Sequence, residues 1–290
     1  MILGIDWNVT SELIEGQPTP NKYGLLFVSG IIIGFFVMKR IFKRENIDEK
    51  ILDKLLMYVV IATILGARFG HVFFYGPYWD VIDPFGNVIE RGYFSHPADM
   101  FKVWEGGLAS HGATIALFVS LWFFSKKVVQ KPFLWILDRI AISAAITACC
   151  IRLGNLVNHE IIGLPTDLPW GFRFNHAGAE YLINNTQVFR HPAQLYEACW
   201  YFLIFCLLMY MYWKTESRNK PGVLFGTFMI LLWSVRFVVE FIKVGQTERD
   251  TYWIINTGQL LSLPMIMVGV YFLAQGIKRN GPSRASGTVE

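Results

Sequence analysis

The chain has 290 residues, of which 53% are apolar and 17% are charged, with a formal net charge of +4 and a mean hydropathy of +0.39. A soluble domain carries about 45–50% apolar and about 25% charged residues. These departures exclude a disordered chain, a collagen-like chain and a nucleic-acid-binding module, and they favour a polytopic membrane protein.

Seven apolar blocks are each long enough, at roughly 20 residues, to cross a bilayer as a helix. In chain order they lie at about 22–42, 52–75, 108–125, 133–153, 193–213, 222–242 and 257–277. The sequence therefore predicts an all-α polytopic membrane protein with a seven-helix transmembrane catalytic domain at 22–277. Residues 1–21 are expected to form an N-terminal extracytoplasmic arm, and residues 278–290 a cytoplasmic tail.

Basic residues in the loops predict the orientation of the chain. Fifteen Lys and Arg residues follow the first, third, fifth and seventh blocks, whereas seven lie on the opposite side. Cytoplasmic loops carry the excess of basic residues. We therefore expect the N-terminus outside, the C-terminus in the cytoplasm, and an extracytoplasmic cap formed by the longer outer loops.

Four arginines remain inside the apolar blocks. Arg139 stands beside Asp138, and a local pair or snorkelling explains it. Arg68, Arg152 and Arg236 lie in the outer halves of blocks two, four and six, where a charge in hydrocarbon costs several kcal/mol. Snorkelling to the surface explains one such arginine, whereas three at one depth favour an anion-binding cavity at the outer leaflet. The planar guanidinium also suits a phosphate, because it binds two oxygens at once.

Amide side chains accompany the arginine of the fourth block. Arg152, Asn155 and Asn158 recur at intervals of three, so one helix face presents a guanidinium and two amides. Amides in a row on a transmembrane helix indicate hydrogen bonding to a buried group.

The sixth block adds an acidic residue. Arg236 and Glu240 are four apart and are predicted to pair on one helix face. A purely structural intramembrane ion pair is the alternative for these two residues. Glu197 in the fifth block is a second candidate acidic partner.

One histidine enters the membrane at a depth near that of the arginines. His111 ends the stretch Trp104-Glu105-Gly106-Gly107-Leu108-Ala109-Ser110-His111 that leads into the third block. Histidine is the side chain whose ordinary pKa suits proton transfer near neutrality. A satisfied structural histidine is the alternative.

Sequence motifs for metals and cofactors are absent. His159-Glu160 is not part of a zinc-binding His-Glu-x-x-His helix, because Gly163 stands at the fifth position. Four cysteines lie inside the apolar blocks without metal-ligand spacing: Cys149, Cys150, Cys199 and Cys206. We therefore expect no metal and no cofactor.

Several strings of the sequence resemble one known family, the prolipoprotein diacylglyceryl transferases. The segment from Arg152 to Glu160, continued by Gly163 to Gly171, is similar to the family signature. Further matching strings, in chain order, are Tyr23-Gly24, Trp104-Glu105-Gly106-Gly107 to His111-Gly112, His191-Pro192-Ala193-Gln194-Leu195-Tyr196-Glu197, Arg236-Phe237-Val238-Val239-Glu240-Phe241 and Gly258-Gln259-Leu260-Leu261-Ser262. The resemblance thus runs from the first block to the seventh.

Three positions depart from the family pattern. Ile151 stands where the family usually has Gly, and Ala113 replaces the second Gly after the histidine. Both are small changes in helix packing. Leu164 stands where the family often has Arg, which removes a charge near the expected site.

The resemblance implies an enzyme of the bacterial cytoplasmic membrane with an active site toward the outer leaflet. Such an enzyme moves the diacylglyceryl group of phosphatidylglycerol onto the lipobox cysteine thiol of a prolipoprotein signal peptide. A thioether forms and glycerol phosphate is released. The implied partners are therefore the lipid, the signal peptide and the bilayer, with no nucleic acid.

The resemblance also suggests residue roles. Arg152 and Arg236 hold the phosphodiester and stabilise the leaving phosphate. His111 is the base for the thiol, or a hydrogen-bonding group if the arginines alone favour the thiolate. The other expected substrate-binding residues are Tyr23, Arg68, Asn155, Asn158, Glu160, Gly163 and Glu240, with Glu240 positioning Arg236.

Two other functions would use the same residues. A transporter or flippase for an anionic lipid needs intramembrane arginines, but the seven blocks show no obvious inverted pair of halves. An intramembrane protease would need Ser110 and His111 to cooperate, although adjacent residues do not face each other on a helix.

Overall fold

A computed structural model describes residues 4–14, 16–103, 106–245, 253 and 255–278, apart from the side chains of 17–19. Within these residues, seven helices are long and apolar enough to cross a membrane. They are α1 Lys22–Arg44, α2 Glu49–Phe74, α3 Ser110–Phe124, α4 Phe133–Val157, α5 Ala193–Lys214, α6 Val223–Val239 and α7 Thr257–Lys278. The protein is therefore a mostly helical, polytopic membrane protein.

Each predicted block overlaps one of these helices, and the largest differences have local causes. α4 runs on to Val157, past the predicted end at 153, because its polar residues find hydrogen-bond partners. α3 continues as a π-helical turn, Ser125–Val129. α6 tightens into a 3₁₀ turn, Glu240–Ile242.

Short strands accompany the helices. They are β1 Ile5–Trp7, β2 Glu12–Ile14, β3 Gln17–Asn21, β4 Val81–Ile82, β5 Val88–Glu90, β6 Phe172–Phe174 and β7 Phe189–Arg190. The order of the one three-stranded sheet is β1-β6-β7, with β1 parallel and β7 antiparallel to β6. The other strands form two antiparallel pairs, β2 with β3 and β4 with β5.

The chain divides into two compact units. The first comprises Met1–Met38 and Leu137–Glu290, and the second comprises Lys39–Ile136. The boundaries fall within α1 and α4, so each of these helices contributes to both units. The first unit therefore holds the three-stranded sheet, most of α1 and α4, and all of α5, α6 and α7.

The sheet of the first unit covers a small apolar core. Phe172 and Phe174 pack there with Leu156 and Ile162. The indole of Trp7 donates to the carbonyl of Leu156 at 3.0 Å, which fastens β1 to the end of α4. This contact positions the polar turn that follows α4.

Small and polar residues fasten the helices of the first unit. Ser143 and Thr147 of α4 donate to the carbonyls of Gly34 and Gly30 of α1, at 3.0 and 3.1 Å. Small residues let transmembrane helices approach closely, and hydroxyl groups can then bond across the interface.

The Asp138–Arg139 pair of α4 has a structural role. The carboxylate of Asp138 accepts hydrogen bonds from the amides of Gly222 and Phe225, both at 2.8 Å, and so caps the N-terminus of α6. Arg139 lies 3.9 Å from Asp138 and donates to the carbonyl of Arg218 at 3.0 Å. The predicted local pair is confirmed.

The second unit is built on α2 and α3. The carbonyl of Gly66 and the backbone of Gly70 lie so close to Gly112 that a β-carbon there would collide with both. The loop between the two helices contains the β4–β5 hairpin and a 3₁₀ turn, Pro97–Phe101.

Candidate active site

The end of α4 and the turn after it form the centre of the candidate site. His159 and Ile161, on either side of Glu160, have left-handed backbone conformations, with φ of 54° and 58°. This sharp turn reverses the chain and returns Glu160 to the last turns of α4. The carboxylate of Glu160 thereby accepts from the amides of Asn155 at 2.7 Å and Asn158 at 3.4 Å.

Asn155 links the arginine of α4 to this carboxylate. Its side-chain oxygen accepts from Arg152 at 3.3 Å, while its amide nitrogen donates to Glu160. Both ends of the amide are therefore used within the protein. Of the predicted face, Asn155 and Asn158 bind the carboxylate of Glu160, and Arg152 is linked to it through Asn155.

A fully buried carboxylate on α5 balances Arg152. Nε of Arg152 lies 2.9 Å from Oε2 of Glu197, an ionic contact outside hydrogen-bond geometry. The other oxygen of Glu197 lies 2.9 Å from Nζ of Lys243 and accepts from the hydroxyl of Tyr201 at 3.5 Å. Two cations thus share one carboxylate, which offsets the cost of burying it.

Glu240 is bound by a residue other than the predicted one. Its carboxylate lies 3.3 Å from Nζ of Lys243, three residues further along the chain. Among the described residues it forms no pair with Arg236, so the predicted Arg236–Glu240 pair is wrong. The physical reason is the 3₁₀ turn at Glu240, in which residues three apart lie one above the other. Gly258 of α7 packs so closely on Glu240 that a β-carbon would collide with the carboxylate.

Arg236 is left without an anionic partner in the described part of the chain. Its guanidinium lies 5.5 Å from the centre of the Trp233 ring, and its Nε is buried without an acceptor. It also interacts electrostatically with Tyr201, as Arg152 does. The two arginines therefore flank one tyrosine, but only Arg152 has its charge balanced there.

Tyr23 of α1 joins the same group. Its ring lies 2.7 Å from the point that a β-carbon at Gly154 would occupy, so the glycine makes room for it on α4. Its hydroxyl interacts electrostatically with Glu160 and Arg152. The structure thus brings together Tyr23, Arg152, Asn155 and Glu160, as the sequence predicts.

Gly163 lies in the loop beyond the turn and is held by its backbone. Its amide donates to the carbonyl of His191 at 3.0 Å, and its carbonyl accepts from buried Arg190 at 3.2 Å. Burial lowers the pKa of His191 below its usual range. The side-chain amide of Gln194 donates to the carbonyl of Glu160 at 2.5 Å, which fixes the turn from the start of α5.

Arg68 and His111 belong to the second unit, and their surroundings differ. Arg68 is buried, and its guanidinium donates to backbone carbonyls of the loop before α3, those of Asp99, Met100, Gly106 and Gly107. His111 is exposed in the first turn of α3. Trp104 and Glu105 of the predicted stretch lie outside the described residues.

Two residues of the site were missed in the sequence, Lys243 and Tyr201. Lys243 follows the sixth block and was counted with the loop charges, although its side chain is only 2% exposed. Its spacing of three from Glu240 was the available signal. Tyr201 lies four residues after Glu197, on the same face of α5, which was a weaker signal.

Comparisons with known proteins agree on one family. The sequence profile described as prolipoprotein diacylglyceryl transferase matches residues 14–275. A relative from Porphyromonas gingivalis is 41% identical over 88% of this chain and 88% of its own length. Relatives from Tolumonas auensis and Chloroherpeton thalassium are 39% and 37% identical, over 94% and 95% of this chain and 97% and 95% of their own lengths. All three are named phosphatidylglycerol–prolipoprotein diacylglyceryl transferase.

Proposed function

Because this chain belongs to the prolipoprotein diacylglyceryl transferase family, we propose that it transfers the diacylglyceryl group of phosphatidylglycerol to prolipoproteins. The acceptor is the thiol of the lipobox cysteine. The observation that carries the assignment to this site is Arg236, which has no anionic partner among the described residues, whereas Arg152 is balanced by Glu197. An anionic phosphodiester is the ligand such a group attracts.

The protein lies in the bacterial cytoplasmic membrane, with the N-terminus and the active site on the outer side. The excess of Lys and Arg after the first, third, fifth and seventh helices supports this orientation. The sheet β1-β6-β7 and the outer loops then form an extracytoplasmic cap, and the tail after α7 is cytoplasmic. Lipid and signal peptide both reach this side of the membrane.

Arg236 and Arg152 contact the phosphodiester of the lipid. Asn158 has a buried side-chain oxygen without a donor in the described chain, which suits a hydroxyl of the headgroup glycerol. Asn155 and Glu160 fix the orientation of Arg152, and Gly163 with Tyr23 lines the rim. Arg68 is a further candidate for the phosphate, although backbone carbonyls accept four hydrogen bonds from its guanidinium.

The transfer forms one bond and breaks another. The sulfur of the lipobox cysteine attacks the glyceryl carbon that bears the phosphate, so a C–S bond forms as the C–O bond to phosphate breaks. The phosphate leaves with the electron pair, and the arginines stabilise its charge. The thiol, whose ordinary pKa is about 8.5, must first lose its proton. His111 accepts that proton, or it hydrogen-bonds the substrate if the arginines alone favour the thiolate.

Mass spectrometry of a lipobox peptide incubated with enzyme and phosphatidylglycerol tests the function. A diacylglyceryl mass gain is expected, whereas cleavage would indicate a protease and an unchanged peptide a transporter. Arg236→Ala and Arg152→Ala should each lower the rate by about 10²–10³-fold, as loss of a donor to a developing anion does. Wild-type rates for both variants would overturn the phosphate assignment. A wild-type rate for His111→Gln would overturn the role of His111 as the base.

A further inference from the structure

Two cations lie at the C-terminal end of α6, and the described residues give them different partners. Nζ of Lys243 lies 2.9 Å from Glu197 and 3.3 Å from Glu240. Arg236 forms no ion pair or hydrogen bond within the described chain, and its Nε is buried. Glu197 is therefore paired with Arg152 and Lys243, and Glu240 is paired with Lys243. No described carboxylate balances the charge of Arg236.

The spacing along the chain allows a different pairing. Glu240 follows Arg236 by four residues, the interval at which an ion pair forms on one face of an α-helix. Glu240 precedes Lys243 by three, the interval at which side chains align in a 3₁₀ turn. Because the helix tightens at Glu240, the structure favours the second pairing.

Burial makes this choice matter. The side chains of Lys243 and Glu240 are 2% and 5% exposed. A buried carboxylate that loses its cation is left uncompensated, which is strongly destabilising. Without Lys243, Glu240 would attract Arg236, one helical turn away, and that pair would cancel the charge that a phosphate needs.

We propose that Lys243 is a positioning residue that binds Glu240 and so keeps Arg236 available for the phosphate of the lipid. The inference rests on the proposed function, because it assumes that Arg236 contacts phosphatidylglycerol. Lys243 itself does not touch the substrate. Because Arg236 contacts the phosphodiester of the intact lipid before transfer, the loss of Lys243 is expected to raise the KM for the lipid.

The first test removes the charge of Lys243. Lys243→Met and Lys243→Gln should raise the KM for phosphatidylglycerol by about tenfold, equivalent to ~1.4 kcal/mol. Lys243→Arg keeps a cation at the same place and should retain most of the affinity. A Lys243→Gln enzyme that elutes as a folded protein and has the wild-type KM would overturn the proposal.

The decisive test removes the competing carboxylate as well. In Lys243→Gln with Glu240→Gln, no carboxylate remains on α6 to capture Arg236, and Glu197 keeps Arg152 as its cation. Most of the lost affinity should therefore return. A folded double variant whose KM is as high as that of Lys243→Gln would contradict the proposal. If Lys243→Gln fails to fold, the double variant is compared with wild type instead, and a KM about tenfold above the wild-type value would contradict the proposal.

Arg236→Ala, assayed in parallel, separates this inference from the proposed function. If Arg236→Ala keeps wild-type kinetics, the phosphate assignment fails, whatever the Lys243 variants do. If Arg236→Ala loses activity while a folded Lys243→Gln enzyme keeps the wild-type KM, only the role of Lys243 fails.

Discussion

Arg152 and Arg236 are the same side chain in two electrostatic settings. Arg152 lies 2.9 Å from the carboxylate of Glu197 and donates to the amide oxygen of Asn155. Arg236 packs near an indole ring and has no anionic partner in the described chain. A balanced arginine is held in one orientation, whereas an unbalanced one attracts an anion. The two therefore divide the work of orientation and charge stabilisation in the proposed site.

His159 holds the turn that presents Glu160. Its Nε2 lies 2.7 Å from the carbonyl of Val9, and its Nδ1 accepts from the backbone amide of His176 at 3.4 Å. The first contact needs a proton on Nε2, and the second needs a lone pair on Nδ1, so both are satisfied by the neutral ring. Burial lowers the pKa of His159, the carbonyl of Val9 opposes this, and nearby His176 lowers it further.

This residue predicts how stability changes with pH. The pKa of His159 in the folded protein is below its unfolded value of about 6.5. The unfolded chain therefore binds more protons, and stability rises with pH across this window. The contribution is complete above pH ~6.5 and is lost as the pH falls through the folded pKa.

Thermal unfolding in detergent at pH 7.5 and pH 5.5 checks this. The midpoint of the wild-type protein should fall on acidification, and that of His159→Asn should fall less, because asparagine tolerates a positive φ but does not titrate. His176→Ala should reduce the fall only in part, because it removes one group that lowers the pKa of His159 while its backbone amide can still donate. An equal fall in the wild-type and His159→Asn proteins would contradict the prediction.

At the scale of elements, one helix caps another. The N-terminus of α6 is bound by the carboxylate of Asp138 on α4, through the amides of Gly222 and Phe225. The first amides of a helix lack intrahelical partners, so a buried acceptor there stabilises the helix strongly.

Replacement of Asp138 should therefore be destabilising. In Asp138→Asn one oxygen becomes an NH₂ group that faces a backbone donor, and the expected loss is about 1–3 kcal/mol in the free energy of unfolding. Asp53→Asn makes the same change at an exposed position of α2 and should stay within ~0.5 kcal/mol of wild type. Denaturant titration in detergent measures both, and equal effects would refute the capping role.

The helices were predictable from sequence, whereas the tightening of one of them was not. Apolar blocks of about 20 residues identify a spanning helix whatever its neighbours. The 3₁₀ turn at Glu240 depends on how α6 ends against the loop at 162–164, with which Lys243 and Val244 also bond. For that reason the pairing of Arg236 with Glu240 was wrong, and Lys243 was counted as a loop charge.

At the scale of the whole molecule, local sequence patterns predicted more of the candidate site than of the three-stranded sheet β1-β6-β7. The face of Arg152 and Asn155 follows from spacing within one helix. The parallel pairing of Ile5 with Phe172 joins distant parts of the chain, and no periodicity in a short strand predicts its partner. Membership in the family suggests a lipid phosphate as the anion for the arginines in the proposed site, which charge alone left open.

The proposed orientation predicts where fused reporters work. Green fluorescent protein attached after residue 290 should fluoresce, because the proposed orientation places the C-terminus in the cytoplasm, and alkaline phosphatase there should be inactive. Alkaline phosphatase inserted in the loop between α2 and α3, at 83–87, should be active. The reverse pattern at both positions would invert the proposed topology.

The tightened end of α6 changes the angle around the helix axis at which its charged side chains project. Successive residues turn by about 100° in an α-helix and by about 120° in a 3₁₀ helix. In the α form, Lys243 would lie about 60° from Glu240, and Arg236 would lie about 40° from it. In the 3₁₀ form, Lys243 returns to the same direction as Glu240. The winding of this single turn therefore determines whether Glu240 faces Lys243 or Arg236. Substitutions at Phe241 or Ile242 that return the turn to α-helical geometry would favour the pair with Arg236, although neither residue is charged.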